Sequence, residues 1–356
     1  MNPYGFVRLA GNGPERKGVQ EHQQYNGLSG RIACTLTTRT ALFIPKYRGG
    51  RADNVKTHEP PLPICANRVG VPIIPGTSLK GVIRNVAEAA ANACFTLPNQ
   101  LLYEKRTLEY DLPAGFRTCQ DHKNLCPTCR LFGMLNRREV FAGNVSVQDA
   151  TAQPGYQTQC LTLAILSGPK PRHKPFYSTD PTKPKPPIRG RKFYYHHQRA
   201  DGLPRQRREK DGQNKTADVV MPGAVFQFEV DFENVAENDL NLLLFALMMW
   251  EDTCHKVGMG KPIGLGSAKI EIASLTVLDR NARYHQLGGG WEQPLTGPAL
   301  ADFLTPRLAP YQNSVTDNLQ DLHRILRWDP NAPDNIQYPD QQWFKDNPKT
   351  PLEKAP

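Results

Sequence analysis

Hydrophobic and polar positions along the chain fall into short periodic runs separated by long interruptions. Residues 30–44 (GRIACTLTTRTALFI) are rich in Thr and β-branched residues and partly alternate, which predicts a long first strand. Residues 45–70 gather glycines, prolines and charges, including Tyr47-Arg48-Gly49-Gly50-Arg51-Ala52-Asp53, and predict a long loop of the kind that is functional or disordered. Residues 71–76 (VPIIPG) lead into an alanine-rich run to residue 94 with strong helical propensity, for which Thr77 or Ser78 is a natural N-cap. A cysteine-bearing insertion ends at Leu131-Phe132-Gly133, and residues 140–147 and 160–166 read as strands. Residues 224–232 (AVFQFEVDF) alternate cleanly as a further strand, and Asn238 caps the apolar helix DLNLLLFALMMWEDTC. A glycine-rich turn over 257–266 precedes the last strand, SAKIEIASLTVL.

The order strand, helix, strands, helix, strand predicts an α+β fold: a ferredoxin-like (RRM-like) βαββαβ core with large insertions. That core spans 30–278 and carries a cysteine loop at about 95–133 and a basic arm at about 168–218. Residues 1–29 are polar and Gly-rich, an arm expected to lie on a neighbour or to be disordered alone. Residues 279–356 are a Pro-rich, peripheral extension with two short helices expected near 300–303 and 315–328.

Charge sharpens this picture. The formal net charge is +10, from 44 Lys+Arg against 34 Asp+Glu. Residues 170–215 hold 14 of the basic and 4 of the acidic residues, which leaves 30 of each sign elsewhere. A neutral body with one cationic segment points to a polyanion as partner. Within that segment, Arg189, Arg191 and Lys192 interleave with Phe193, Tyr194 and Tyr195, the cation-plus-aromatic mixture that suits RNA phosphates and exposed bases. No run of 18 apolar residues exists and residues 1–30 are too polar for a signal peptide, so the expectation is a soluble, cytoplasmic protein with no membrane partner.

Three of eight cysteines cluster as Cys119, Cys126 and Cys129, with His122 between them. Three thiolates and an imidazole make a tetrahedral ligand set for structural Zn²⁺; Cys94 is the alternative to His122 as fourth ligand. Two turns suit phosphates. The first opens the helix at Thr77 and Ser78, with Lys80 and Arg84 four apart on one face. The second holds Gly258, Gly260, Lys261, Gly264 and Gly266, where glycines permit positive φ and close approach of a ligand. Each is equally an ordinary capped helix or connection when taken alone. No Ser–His or Cys–His catalytic signature stands out, and polar residues of the 45–70 loop (Asp53, His58, Glu59) are the candidates for RNA cleavage.

Together PIIPGTSLKGVIR (72–84), CPTCRLFG (126–133), IRGRKFYYHH (188–197) and GMGKPIGLGSAKI (258–270) resemble the RAMP (repeat-associated mysterious protein) superfamily, closest to backbone subunits of class 1, type III-like CRISPR effector complexes. The resemblance implies a subunit that polymerises along a guide CRISPR RNA, with the two turns on the guide. It also implies that the basic arm is a thumb-like element shaping the duplex of guide and complementary target RNA. Further copies of itself, other effector subunits and a separate nuclease are the partners so implied. Target-cleaving members carry an aspartate shortly before the turn matching Pro75-Gly76; here Glu59 is nearest and Asp53 lies further upstream, and neither matches cleanly. An endoribonuclease acting on target or precursor RNA, and a zinc-stabilised protein-interaction module, are the alternative readings.

Overall fold

The computed structural model describes all residues except 1, 20–23, 47–57, 60, 96–100, 104–105, 109, 137–138, 165–172, 199–213, 280–284, 286–292, 333–335 and 356. In chain order the elements that build the site begin with β1 (Tyr4–Val7), β2 (Leu28–Thr38), β3 (Ile73–Ile74), α1 (Gly76–Ala90) and α2 (Pro127–Phe132). Next come β4 (Val145–Val147), β5 (Ala150–Ala152), β6 (Thr158–Leu163), β7 (Arg191–Tyr194), β8 (Lys215–Val220) and β9 (Val225–Val235). The chain continues through α3 (Glu237–Met248), β10 (His255–Lys256), β11 (Ser267–Val277), α4 (Gly297–Gln312) and α5 (Asp317–Leu326).

A mixed α/β fold results, built on a curled antiparallel sheet with strand order β10-β11-β2-β9-β5-β3; β4 also pairs with β9. Alternation explains which side is covered. On β2, Ile32, Cys34 and Leu36 are buried, and on β9 Phe226, Phe228, Val230 and Phe232 are buried, all toward the layer of α1 and α3. Each such aromatic or branched side chain contributes about 1.5–3 kcal/mol by leaving water. The opposite positions carry Arg31, Thr35, Thr37, Gln227, Glu229, Asp231 and Glu271, with Arg31 ion-paired to Glu229 and Asp231 at 3.2 and 2.6 Å.

Helix α1 buries Leu79, Ile83, Val86 and Ala90, a single apolar stripe. Its N-cap is Pro75 rather than Thr77 or Ser78, because the chain turns helical one residue earlier, at Gly76. The Gly76 N–H donates to the Asp149 carboxylate at 2.7 Å, so a protein anion already occupies the start of this helix. Helix α3 has almost no polar face; Leu240 and residues 242–247 are all buried between the sheet, α1 and α4. It starts at Glu237 with Ala236 as N-cap, not at Asn238.

Both chain ends are built into this body. Tyr4–Val7 is no loose arm: β1 pairs antiparallel with β7, Tyr4 opposite Tyr194 and Val7 opposite Arg191. Of the C-terminal helices, α4 is longer than expected, running through Pro306 and Pro310, while α5 falls within the expected 315–328, and neither is peripheral. Helix α4 packs on α3, where Tyr311 stacks on Phe245 at 4.8 Å. In α5, Leu322 and Ile325 are fully buried against β1, α1 and β7. Asn318 donates to the carbonyls of Ala89 and Ala90 at 2.8 and 3.0 Å, satisfying acceptors that the end of α1 leaves open.

Candidate nucleic-acid interface and metal centre

The chain turns out of α1 through Asn92 (φ 51°), and this swings Cys94 inward beneath the knuckle formed by Cys119, Cys126 and Cys129. All four Sγ atoms lie within 4.8 Å of one another and all four residues are at most 2% exposed. Cys94 stands 3.6 Å from Cys129 and 3.7 Å from Cys126. A tetrahedral ion with sulfur ligands at about 2.3 Å would set its sulfurs roughly 3.8 Å apart, so the donor set fits a metal and the spacing is far too long for disulfides. Hydrogen bonds from the thiols of Cys119, Cys129 and Cys94 hold the Cys126 thiol far below its ordinary range. Arg16 donates to Cys119 Sγ at 3.0 Å, and the Cys126 N–H does so at 3.3 Å, the donors that a thiolate needs.

His122 is not the fourth member. Its ring sits half-exposed at the surface, where Nδ1 meets Glu139 at 3.1 Å and lowers the carboxyl's pKa. Cys94, 25 residues before Cys119, takes that place because α1 delivers it. The knuckle is also tied to α3 by Arg130, which meets Asp239 through two bonds of 2.6 and 2.7 Å. Those two residues line a small cavity of ≈ 270 Å³ and neutralise each other there.

A larger cleft of ≈ 850 Å³ opens between α1, β7 and the segment that follows α3. Thr77, Ser78, Gly81 and Asn85 line it from α1; Lys192, Phe193 and Tyr194 from β7; Lys256, Gly258, Met259 and Lys261 from the third side. No carboxylate is among its described lining residues. Burial lowers the Lys192 ammonium to a pKa of about 8 while it sits 3.7 Å over the Tyr4 ring. Burial, reinforced by the charge of Lys261, lowers Lys256 to about 7, and burial lowers Lys261 as well. Three lysines whose charge is penalised by burial thus line one cleft, with no carboxylate among its described lining residues.

The cleft gathers Thr77, Ser78, Lys192, Phe193, Tyr194, Gly258 and Lys261 of the sequence-predicted RNA contacts, from three distant stretches. Others lie elsewhere. Lys80 donates to the Val145 carbonyl at 2.8 Å, and Arg84 bonds Glu88 and the Gly133 carbonyl at 2.8 and 3.1 Å, so both turn away from the cleft to fasten α1. Arg191 is buried: it bonds Glu88 at 2.8 Å and the carbonyls of Ala93 and Cys94 at 2.7 and 2.9 Å. Arg189 is held by Glu353 and the Pro175 carbonyl. Gly260, Gly264 and Gly266 do not line the cleft either. Gly258 and Gly266 need glycine for the turn itself: at φ 74° and 79°, a Cβ would strike the Phe43 carbonyl oxygen at 2.4 Å and that of Val257 at 1.8 Å. Sequence reasoning missed Asn85, Lys256 and Met259; the i, i+4 spacing of Gly81 and Asn85 beyond Thr77 was the available signal.

Asp53 lies outside the described residues, as do half of the basic arm's lysines and arginines. Glu59 is exposed and does not line the cleft. Among the described residues, no helix is long and apolar enough to cross a membrane. The outward sheet face, where RRM modules stack bases on aromatics, carries acids and hydroxyls instead. Among curated proteins no match to this chain was found. Residues 35–269 match the family model of the RAMP superfamily, well over half of the 356 residues. The chain therefore belongs to the RAMP superfamily, and this membership supports a CRISPR-associated RNA-binding subunit.

Proposed function

We propose that the chain is a guide-RNA-binding backbone subunit of a multi-subunit CRISPR effector complex, with the guide's phosphates in the cleft between α1 and β7. The observation that carries this reading is the convergence of Lys192, Lys256 and Lys261 on one cleft with no carboxylate among its described lining residues. Met259, 52% exposed at its edge, offers an apolar surface for a base. The strands β2, β4/β5, β9 and β11, with α1 and α3 on one face, support a ferredoxin-like core, and the arm at 168–218 is the candidate thumb for the guide–target duplex. The chemistry of four buried thiols supports Zn²⁺ in the Cys94/Cys119/Cys126/Cys129 site, closed and structural. Target RNA, further copies of the chain and a separate nuclease complete the proposed complex.

Sequencing the RNA that co-purifies with the protein tests the class: repeat-derived guides of uniform length are expected. For the cleft, the combined variant Lys192→Gln, Lys256→Gln, Lys261→Gln should reduce the slope of log K against log salt by about 2, from about 0.7 per lost contact to single-stranded RNA. An unchanged slope would place the guide elsewhere.

A further inference from the structure

The cleft has walls of two kinds. The sides formed by β7 and by the segment after α3 carry the lysines; the side on α1 carries no charge at all. Its polar side chains are Thr77, Ser78 and Asn85, at i, i+1 and i+8, set beside Val82 and Val86. Among the described residues none of the three spends its side chain on a protein partner: α1 has no side-chain cap, and both hydroxyls sit inside the first turn, past the Pro75 cap. Between them lies Gly81, in mid-helix, where a Cβ would meet nothing within 4 Å. A glycine there costs about 0.5–1 kcal/mol of helix stability relative to alanine, and among the described residues no atom needs the room it leaves.

From this asymmetry we propose that the α1 wall reads the ribose of the bound strand, selecting RNA over DNA, with Ser78 and Asn85 contacting 2′-hydroxyls across the gap left by Gly81. The inference rests on the cleft holding nucleic acid, and it assigns the two walls different tasks. Lysines meet phosphates, which RNA and DNA share, so they set affinity and salt dependence. Hydroxyl and amide groups can pair with the 2′-OH, both donor and acceptor, which DNA lacks. A helix backbone bare of Cβ lets the sugar come close enough for those short side chains to reach it.

The test measures affinity of the full-length protein for one 12-nucleotide sequence made as RNA, DNA and 2′-O-methyl RNA, over a salt series. Wild type is expected to prefer RNA to both others. Gly81→Ala should unfold at a higher temperature than wild type yet bind RNA several-fold more weakly, with DNA affinity and the salt slope unchanged. Ser78→Ala and Asn85→Ala should each lower the RNA-to-DNA ratio about three- to ten-fold, the worth of one hydrogen bond. Lys256→Gln should weaken RNA and DNA alike. If Gly81→Ala and Asn85→Ala leave the RNA-to-DNA ratio at the wild-type value while Lys256→Gln weakens both polymers, the ribose-reading wall is refuted and the cleft survives. If Lys256→Gln changes neither, the cleft reading fails first.

Discussion

Raising pH should weaken RNA binding while it stabilises the free protein, and Lys256 is the main reason for both. Its side chain is buried, its residue only 7% exposed, and the Leu265 carbonyl at 3.2 Å is its bonded acceptor. Burial first, and then Lys261, bring its pKa to about 7, against the 10.5 usual for a lysine. Between those values the unfolded chain holds a proton that the folded chain has lost, so stability rises with pH across that window, by up to ~1.4 kcal/mol per pH unit for this one group. Below about pH 7 the buried charge is present and its cost is fully felt. Binding runs the other way. A phosphate needs the ammonium, and above pH 7 it must be re-formed from a neutral amine. The affinity lost between pH 7 and 9 has an upper limit on the order of 50-fold from Lys256, with a smaller share from Lys192, which has a pKa of about 8.

The neighbouring groups do not confuse the measurement. His255 has a pKa of about 4 and His196 is lowered well below the usual value, both by burial; Cys254 is pushed up to about 11. None of them changes charge between pH 7 and 9. Fluorescence anisotropy of a labelled single-stranded RNA at constant ionic strength, paired with urea unfolding of the free protein at each pH, reads both trends. Lys256→Gln should reduce both trends, leaving the smaller share that comes from Lys192. A wild-type affinity that stays level from pH 7 to 9, with its salt dependence intact, would refute the argument that buried lysines hold the phosphates.

Three further outcomes follow from the packing. Cys94→Ser should lose about one equivalent of bound metal on elemental analysis, whereas His122→Ala should retain it. Arg191→Met removes bonds to Glu88, Ala93 and Cys94 and should cost about 3 kcal/mol by urea unfolding, the low end for a broken buried pair because Arg84 still neutralises Glu88. Leu322→Ala should cost about 2–5 kcal/mol, since α5 is buried against β1, α1 and β7; a change under 0.5 kcal/mol would make the C-terminal helices dispensable after all.

The elements legible in the sequence are those whose period is local. Alternation over 224–232 became β9, and the alanine-rich run became α1, because a strand or helix face is written in consecutive residues. What was illegible depends on partners far along the chain. Strand β1 has only four residues, and nothing in them names a partner some 187 positions later. A helix expected only near 300–303 runs on to Gln312 as α4, with Pro306 and Pro310 inside it. The charges were misread for the same reason. Arg191 looked like a phosphate contact, but Glu88, 103 residues earlier, neutralises it inside the protein. Lys256 sits among apolar residues and drew no notice, although it faces the cleft.

That misreading of Arg191 exposes a physical link between the metal centre and the cleft. Its guanidinium binds the carbonyls of Ala93 and Cys94, the latter a member of the thiol cluster, and lies 4.3 Å from the Phe95 ring. The next three residues, Lys192, Phe193 and Tyr194, are cleft wall. Whatever fixes Cys94 therefore fixes the register of β7 against α1, and an ion in the cluster would act on RNA binding by position alone, some way from any phosphate. Chelation of the purified protein should then weaken RNA affinity by about as much as Arg191→Met does, and doing both should cost little more than either, since the two perturbations cut one chain of contacts. Fully additive losses would mean that the knuckle and the cleft wall are held independently, and that the cysteines serve only their own loop.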